Sequence, residues 1–282
     1  MYIVDIDNND VKNIGNVFKW QTLEEETKNM KIVVCKDYEE VSKVMAQKVV
    51  NLINEKPDLV FCLPAGNSPI GMFKELVNMY QEGKVDFSKL RTFDMDEYVG
   101  CGPEDSHSFV YFFHQHFFDH VNINMGNVEY PDALADDLDA MCKKYAQDII
   151  DAGGLDIAIT GIGDDGHIAF NEPGEYLLPR THVVKMDEAT RKQNASAFAD
   201  REEGVPEYAI TTGMEEHMKT KNYFVVCSGE HKAPLLKKLF ETENLDPKFP
   251  VSWLRMHSNV EFVIDEAAAK DIPQDVLEYY SK

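Results

Sequence analysis

Short apolar runs alternate along this chain with stretches that have helical periodicity, and this alternation constrains the fold more than any other feature. Several runs are apolar at consecutive positions, as expected for strands that are covered on both faces. The predicted strands are 31–35, 58–63, 91–95, 155–163, 208–212, 222–228 and 260–266, and the predicted helices are 38–55, 70–82, 107–120, 132–152 and 231–241. The alternation predicts an α/β fold with a doubly wound, mostly parallel, Rossmann-like sheet and helices on both faces.

The chain is expected to hold one domain. Its 282 residues suit a single large α/β domain, its hydrophobic content of 44% is enough for a substantial core, and no low-complexity linker or repeat divides it. Residues 1–30 are mixed and polar, so we interpret them as an N-terminal extension that is in part helical. The domain itself is predicted to span residues 31–282.

Charge and cysteine usage limit the partners and the compartment. A net charge of -22 repels nucleic acid and anionic lipid, so neither is an expected partner. No apolar run approaches the roughly 20 residues that span a bilayer, and the N-terminus lacks a basic-then-apolar signal pattern. Cys35, Cys62 and Cys227 lie in apolar runs, which is typical of buried, reduced thiols. A reducing compartment, the cytoplasm, is therefore expected.

The first of three polar loops follows the predicted strand 58–63. Ligands bind outside the carboxyl ends of parallel strands, so residues at these positions are candidates for a site. Gly66 lets the backbone approach a ligand, Asn67 or Ser68 can cap the next helix, and N–H groups at a helix start attract phosphate. The same residues also suit a plain capped turn, and both interpretations stay open.

The second loop carries three carboxylates at the end of the predicted strand 91–95. They belong to Asp94, Asp96 and Glu97. One of them could act as a general base if partial burial raises its pKa. Taken alone, a solvated acidic turn is the simpler explanation of this cluster.

The third loop, 161–173, has the strongest signature of chemistry. It begins at Gly161, and its glycines permit tight turns and close approach of a ligand. His167 lies near Asp165 and Glu172 in the sequence. A carboxylate beside an imidazole fixes its tautomer and raises its pKa, which suits a proton shuttle. A histidine in this setting is more often functional than structural.

A metal centre is not expected. His116 and His120 are four residues apart and could face one ion, but the run around them is rich in Phe and Tyr, which favours a packed helix. No HExxH motif or Cys/His ligand set occurs elsewhere in the sequence.

Three stretches resemble the glucosamine-6-phosphate deaminase/isomerase family. They are TFDMDEYVG (92–100), FFDHVNI (117–123) and GIGDDGHIAFNEP (161–173), and the resemblance extends over about residues 31–265. The sister 6-phosphogluconolactonases share the fold and a related Gly-Asp-Gly-His turn but lack the FNEP that follows it here. The resemblance therefore implies a deaminase rather than a lactonase.

The resemblance implies a role for four residues of the second and third loops. Asp96 is similar to the base that moves a proton between C2 and C1 of the sugar. His167 is similar to the acid and base that opens the pyranose ring, and Asp165 and Glu172 to the carboxylates that orient it. Removal of a C–H proton beside a carbonyl is suitable work for a positioned carboxylate.

The resemblance also implies the substrate and its contacts. The Gly66–Ser68 turn, Gly161 and Lys232 are implied to bind a small-molecule sugar phosphate. Glucosamine 6-phosphate and water are expected to give fructose 6-phosphate and ammonia, in amino-sugar catabolism, with no metal or organic cofactor. The enzyme is expected to be a hydrolase. A homo-oligomer is possible.

Two departures from the family pattern keep the substrate open. Asp164 stands where the family commonly has Asn, and Ser196 stands where it often has an Arg that contacts phosphate. Another hexosamine phosphate, such as galactosamine 6-phosphate, is therefore an alternative substrate. A lactonase-like hydrolase and a non-catalytic sugar-phosphate sensor are weaker alternatives. Such sensors add a DNA-binding helix-turn-helix, which some 30 N-terminal residues without a basic patch are not expected to supply.

Overall fold

A computed structural model describes residues 29–281 of the chain, so the predicted N-terminal extension lies almost wholly outside the described residues. The strands, in chain order, are β1 (Met30–Cys35), β2 (Val60–Leu63), β3 (Arg91–Asp94), β4 (Asp96–Tyr98), β5 (Val128–Glu129), β6 (Ile157–Thr160), β7 (His182–Lys185), β8 (Tyr208–Thr211), β9 (Asn222–Cys227) and β10 (Val260–Asp265). The helices are α1 (Tyr38–Glu55), α2 (Ile70–Gln81), α3 (Phe109–His116), α4 (Leu138–Asp151), α5 (Glu188–Asn194), α6 (Met214–Lys219), α7 (Ala233–Glu241), α8 (Glu266–Ala269) and α9 (Gln274–Tyr280).

Most of the described strands form one parallel sheet. Their order across it is β1-β10-β9-β6-β2-β3-β5, and each neighbouring pair runs in the same direction. The remaining strands form a small antiparallel sheet in the order β4-β8-β7. The predicted fold class is confirmed, but the predicted strand 208–212 is β8 of the small sheet and not part of the parallel one.

Helices cover both faces of the parallel sheet. Residues of α1, α2 and α3 share one hydrophobic core with the sheet, whereas residues of α4, α7 and α8 share the other. Each core receives alternate residues of a strand, because successive side chains of a strand point to opposite faces. In β2, Val60 and Cys62 enter one core and Phe61 and Leu63 the other. This double burial explains why the strands are continuously apolar in sequence.

The chain reverses its direction across the sheet between β2 and β6. From β2 it continues to β3 and β5 on one side, and from β6 it continues to β9 and β10 on the other. Such a reversal leaves a crevice outside the carboxyl ends of the two central strands, where ligands bind in doubly wound folds. The loops after β2 and β6 are residues 64–69 and 161–173. The fold thus places two of the three predicted loops at its own crevice.

The cysteines are parts of the core. All five are buried and unpaired. Burial raises the pKa of the Cys62 and Cys227 thiols, which makes them poor nucleophiles. As to membranes, none of the helices within residues 29–281 combines the length and the apolar character that a crossing requires.

Candidate active site

Four neighbouring strands deliver the predicted site residues to one edge of the parallel sheet. The strands β9, β6, β2 and β3 are adjacent, and their carboxyl ends lead into the segments that hold Lys232, His167, Gly66 and Asp96. Because all four strands are parallel, these ends meet on the same side of the molecule.

Asp96 is the first residue of β4, so it lies in the small sheet and not in a loop. It pairs with Thr211 of β8, whose hydroxyl donates to Asp96 Oδ1 at 2.6 Å. Burial raises the pKa of Asp96 to about 7, although the Thr211 hydrogen bond and the charge of His167 act to lower it. A carboxylate with this pKa is both basic enough to take a proton at neutral pH and ionised enough to do so.

Glu97 points away from Asp96, as neighbouring residues of a strand do. Its carboxylate accepts hydrogen bonds from the backbone N–H groups of Phe109 at 3.0 Å and Val110 at 3.3 Å, at the start of α3. Burial raises the pKa of Glu97 to about 8, against these hydrogen bonds. Glu97 therefore holds the N-terminus of α3, and of the two side chains it is Asp96 that faces the crevice residues.

Asp94, the last residue of β3, is fully buried. Neither of its carboxylate oxygens has a hydrogen-bond partner among the described residues. Burial raises the pKa of Asp94 well above its usual value, and the charges of Glu97 and Asp96 raise it further. A solvated acidic turn, the simpler explanation from sequence, does not describe this cluster, because two of its three carboxylates are buried.

Two carboxylates face the Nδ1 side of His167. Its Nδ1 is 2.8 Å from Asp165 Oδ1 and 3.8 Å from Glu172 Oε2. The shorter contact has the distance of a hydrogen bond but not its alignment, and Asp165 Oδ1 accepts instead from the His167 backbone N–H at 3.0 Å. Both oxygens of Glu172 are buried without a hydrogen-bond partner among residues 29–281. The imidazole thus has two negative groups on one side.

These carboxylates set the protonation of the imidazole. Burial alone lowers the pKa of His167, but Asp165 and then Glu172 outweigh burial, so that the pKa is raised. In return, His167 lowers the pKa of Asp165 although burial raises it. Burial raises the pKa of Glu172, and the charge of His167 offsets only part of this. The arrangement favours an imidazolium that can give up a proton.

Loop 161–173 is anchored to the small sheet. The backbone N–H of Phe170 donates to the Thr211 hydroxyl at 3.1 Å, and the Asn171 amide donates to the Thr212 carbonyl at 2.8 Å. Thr211 therefore contacts both Asp96 and the loop that carries His167. Through this one side chain, the Asp96 carboxylate is connected to the loop that carries His167.

Asp165, His167 and Glu172, which form a triad, have the donor atoms of a metal site. The ligand atoms of Asp165, His167 and Glu172 all lie within 4.8 Å of one another, and no other such group of three occurs among the described residues. One imidazole and two carboxylates suit Zn²⁺. From sequence, the candidate metal ligands were His116 and His120. The triad was not considered, because the spacing of its residues in the chain matches no common metal-binding motif.

The loop after β2 lies beside the loop after β6. A Cβ at Gly161 would come within 3.8 Å of Ser68 Oγ, and Gly66 has a φ of +90°, which glycine adopts without strain. The prediction that Asn67 or Ser68 caps α2 is wrong, because Pro69 is the N-cap residue and neither side chain caps the helix. In the first turn of α2 the Tyr38 hydroxyl accepts from the Gly71 backbone N–H at 2.8 Å, so an external anion would meet the N–H groups of the Gly66–Ser68 turn before it.

Lys232, which follows β9 in the chain, contacts the loop after β6. Its ammonium donates to the Ile162 carbonyl at 2.7 Å and to Asp164 Oδ1 at 2.6 Å. Ile162 follows Gly161, so Lys232, Gly161 and Ser68 form one side of the crevice. Ser196 is exposed in the 3₁₀ segment Ala195–Phe198.

Sequence reasoning missed two residues that shape this site. Thr211 was not singled out because its partner Asp96 is 115 residues away. Gly163 was not singled out among the loop glycines, yet a Cβ built there overlaps the His167 ring. A glycine two residues before the Asp-Gly-His turn was the available signal, but its contact partner could not be read from sequence.

The fold and the site together define a class of protein. An imidazole beside two carboxylates, a further carboxylate with a raised pKa, and a glycine turn before a helix at a crevice of a doubly wound sheet are typical of an enzyme that moves protons on an anionic small molecule. A sequence profile of the family described as glucosamine-6-phosphate isomerases/6-phosphogluconolactonase matches residues 37–263, and the chain belongs to this family.

Relatives within the family are similar over nearly their whole length. A glucosamine-6-phosphate deaminase of Thermoanaerobacter sp. (strain X514) is 42% identical over 248 residues, which are 88% of this chain and 97% of the relative. One of Clostridium perfringens (strain 13 / Type A) is 41% identical over 241 residues, or 86% and 99% of the two chains. The resemblance inferred from the three loops is confirmed.

Solved structures are similar as well. A monomeric glucosamine-6-phosphate deaminase matches with a TM-score of 0.82 and 37% identity, over 86% of this chain and 100% of that one. A 6-phosphogluconolactonase from Thermotoga maritima matches with a TM-score of 0.66 at 20% identity, over 84% and 100% of the two chains, which shows a shared fold only.

The expected classification as a hydrolase is wrong. The similar proteins are named deaminases, and the family is described by isomerases together with the lactonase. These names denote loss of an amino group and a shift of a carbonyl, and none of them names a hydrolase.

Proposed function

We propose that this protein is a glucosamine-6-phosphate deaminase, which converts glucosamine 6-phosphate and water into fructose 6-phosphate and ammonia by aldose–ketose isomerisation coupled to deamination. The observation that carries the proposal is the pairing of Asp96, with its raised pKa, and His167, held by two carboxylates, at one crevice. The similarity to deaminases over most of the chain supports it.

His167 opens the sugar ring in this proposal. Its raised pKa favours the protonated imidazole, whose proton passes to the ring oxygen, and the neutral imidazole then takes up the proton of the C1 hydroxyl. Asp165 and Glu172 stabilise the charged imidazole and orient it. The product of this step is the open-chain aldehyde.

Asp96 then moves a proton from C2 to C1. The C2 proton is acidic because it lies beside the C1 aldehyde, and its removal leaves an enol with the amino group on C2. Return of a proton to C1 gives an imine at C2, and addition of water releases ammonia. A pKa of about 7 leaves Asp96 partly ionised at neutral pH, so it can take this proton from C2 and then give it to C1.

The phosphate binds on the other side of the crevice. The Gly66–Ser68 turn at the start of α2 offers backbone N–H groups, and Gly161 leaves room beside Ser68 Oγ. Lys232, with its ammonium on the Ile162 carbonyl, supplies the positive charge. These contacts bind an anion locally although the chain as a whole is acidic.

Residues 31–282 form the catalytic domain in this proposal, and residues 1–30 are an extension outside it. The working compartment is the cytoplasm, and neither nucleic acid nor membrane is a partner. The similar monomeric deaminase supports a monomer, and a homo-oligomer remains the alternative.

Ammonia release by the purified full-length chain tests the proposal. Glucosamine 6-phosphate should give ammonia and fructose 6-phosphate in equal amounts, whereas glucosamine without phosphate should react poorly. Galactosamine 6-phosphate is the comparison substrate, because Ser196 supplies no charge where the family often has Arg. Faster turnover of galactosamine 6-phosphate would replace the substrate and keep the reaction, and ammonia from neither compound would refute the proposal.

A further inference from the structure

The ammonium of Lys232 is already engaged by a carboxylate of its own chain. Lys232 Nζ lies 2.6 Å from Asp164 Oδ1, and the side chains are 11% and 64% exposed. Lys232 also donates to the Ile162 carbonyl at 2.7 Å. An ammonium has three N–H donors, so two are committed before any ligand arrives.

The two partners differ in their freedom to move. Lys232 is buried and its ammonium is tied to a backbone carbonyl, so it stays at the crevice. Asp164 is mostly exposed on a loop that turns at Gly166, where φ is +93°. Rotation of the Asp164 side chain into solvent costs little packing, because little of it is packed.

We propose that Asp164 determines the affinity of this site for phosphate by acting as an internal competitor. In the free protein its carboxylate takes the place of the substrate phosphate on Lys232, and a sugar phosphate binds only as Asp164 leaves. The inference rests on the proposed function in one respect, namely that Lys232 binds the phosphate.

Charge balance gives the reason. Lys232 and Asp164 together carry no net charge, and Ser196 adds none. A phosphate that shared Lys232 with the carboxylate would be repelled by its negative charge, and more strongly where water is excluded. The phosphate must therefore displace the carboxylate, and the lost ion pair reduces its net affinity.

Replacement of the carboxylate by an amide is the direct test. Asp164→Asn keeps the size of the side chain and removes its charge, so the dissociation constant of inorganic phosphate, measured by calorimetry, should fall roughly three- to ten-fold. The KM for glucosamine 6-phosphate should fall by a similar factor, with a smaller change in kcat. The gain should vanish when Lys232→Ala is added, because the two residues then no longer interact.

Glu230→Gln is the matched control. Glu230 lies two residues from Lys232 but pairs with Lys270, so the variant removes one nearby negative charge without touching the Lys232 ion pair. Its phosphate affinity should stay within about two-fold of the native protein, since exposed charges act weakly at a distance.

The outcomes separate this inference from the proposed function. Tighter phosphate binding by Asp164→Asn supports the inference even if no ammonia is released, in which case the proposed function alone fails. Phosphate affinity equal to that of the native protein, or an equal gain in Glu230→Gln, overturns the inference even in an active deaminase. Failure of both the native protein and Asp164→Asn to bind millimolar phosphate overturns it as well.

Discussion

Thr211 connects the proton acceptor to the loop that carries the imidazole. Its hydroxyl donates to Asp96 and accepts from the Phe170 backbone N–H. Donation to a carboxylate stabilises the ionised form, and Thr211 accordingly lowers the pKa of Asp96 against the effect of burial. The side chain thus keeps Asp96 ionised near neutral pH.

Thr211→Val is expected to move the acid limb of the activity profile to higher pH. In the native protein kcat/KM should fall as pH drops through about 7, because protonated Asp96 cannot accept the C2 proton. Loss of a hydrogen bond to a charged group, roughly 1.5–3 kcal/mol, should move the midpoint of this limb to a higher pH by about one unit or more. Thr211→Ser keeps the hydroxyl and should retain the native profile. A Val variant with an unmoved acid limb would show that Thr211 does not tune Asp96.

Asp94 is expected to make the protein less stable as pH rises. Its pKa is raised in the folded state, so above about pH 4 the unfolded chain releases this proton while the folded chain keeps it. The native state then binds more protons than the unfolded state, and the free energy of unfolding falls with increasing pH. Asp94→Asn has no carboxyl group at this position and so lacks this decrease. Its free energy of unfolding should therefore rise relative to that of the native protein from pH 5 to pH 8.

Urea unfolding at pH 5 and at pH 8 measures the difference in the free energy of unfolding between each variant and the native protein. Asp58→Asn removes an exposed carboxylate and serves as the control, for which the difference should be nearly constant. A difference for Asp94→Asn that does not change with pH would mean that Asp94 is ionised in the folded protein.

At the scale of elements, the turn within loop 161–173 sets the position of His167. The backbone N–H of Gly163 donates to the His167 carbonyl at 3.1 Å, and a Cβ at Gly163 would overlap the imidazole ring. Gly163→Ala must therefore displace the ring while the strands beneath it stay intact. Because a shift of about 1 Å in a catalytic group can cost roughly 10²-fold, kcat should fall by that order with little change in Tm.

Gly161→Ala provides the comparison for this prediction. A Cβ at Gly161 would make only ordinary contacts, 3.8 Å from Ser68 Oγ and 3.9 Å from the Val226 carbonyl. Its effect on kcat should be smaller than that of Gly163→Ala. Equal losses in the two variants would contradict the assignment of Gly163 to the placement of His167.

The sequence predicted the parallel sheet and the three loops because these depend on local patterns. Strand 222–228 is a continuous apolar run, and the loop at 161–173 directly follows another. The small antiparallel sheet was not predicted, since β4 and β7 are three or four residues long and their pairing joins distant segments. The hydrogen bond between Asp96 and Thr211 depends on that pairing, so it could not be foreseen. Short helices such as α5 and α6 also lack enough turns to show a periodicity.

Over the whole molecule, the mechanism assigns proton transfer and anion binding to side chains and backbone alone. The triad of Asp165, His167 and Glu172 has metal-ligand atoms within 4.8 Å of one another, so this assignment makes a definite prediction. Ammonia release should survive dialysis against EDTA, because an imidazole that carries protons must not be occupied by an ion. Loss of activity with EDTA and its return with zinc or magnesium would instead assign the triad to a metal.

The proposed mechanism requires the Asp96 carboxylate to carry a proton between C2 and C1 of an amino-sugar phosphate, and turnover in D₂O follows this proton. The native protein should release ammonia and place deuterium at C1 of fructose 6-phosphate, because the proton on Asp96 exchanges with solvent. Asp96→Asn should lose both by roughly 10²–10⁴-fold while it stays folded. Glu97→Gln makes the same kind of change at the next residue. Its folded fraction should retain ammonia release and deuterium incorporation, because the Glu97 side chain contacts the start of α3 and not the substrate crevice. Near-native ammonia release and deuterium incorporation by Asp96→Asn would contradict the account.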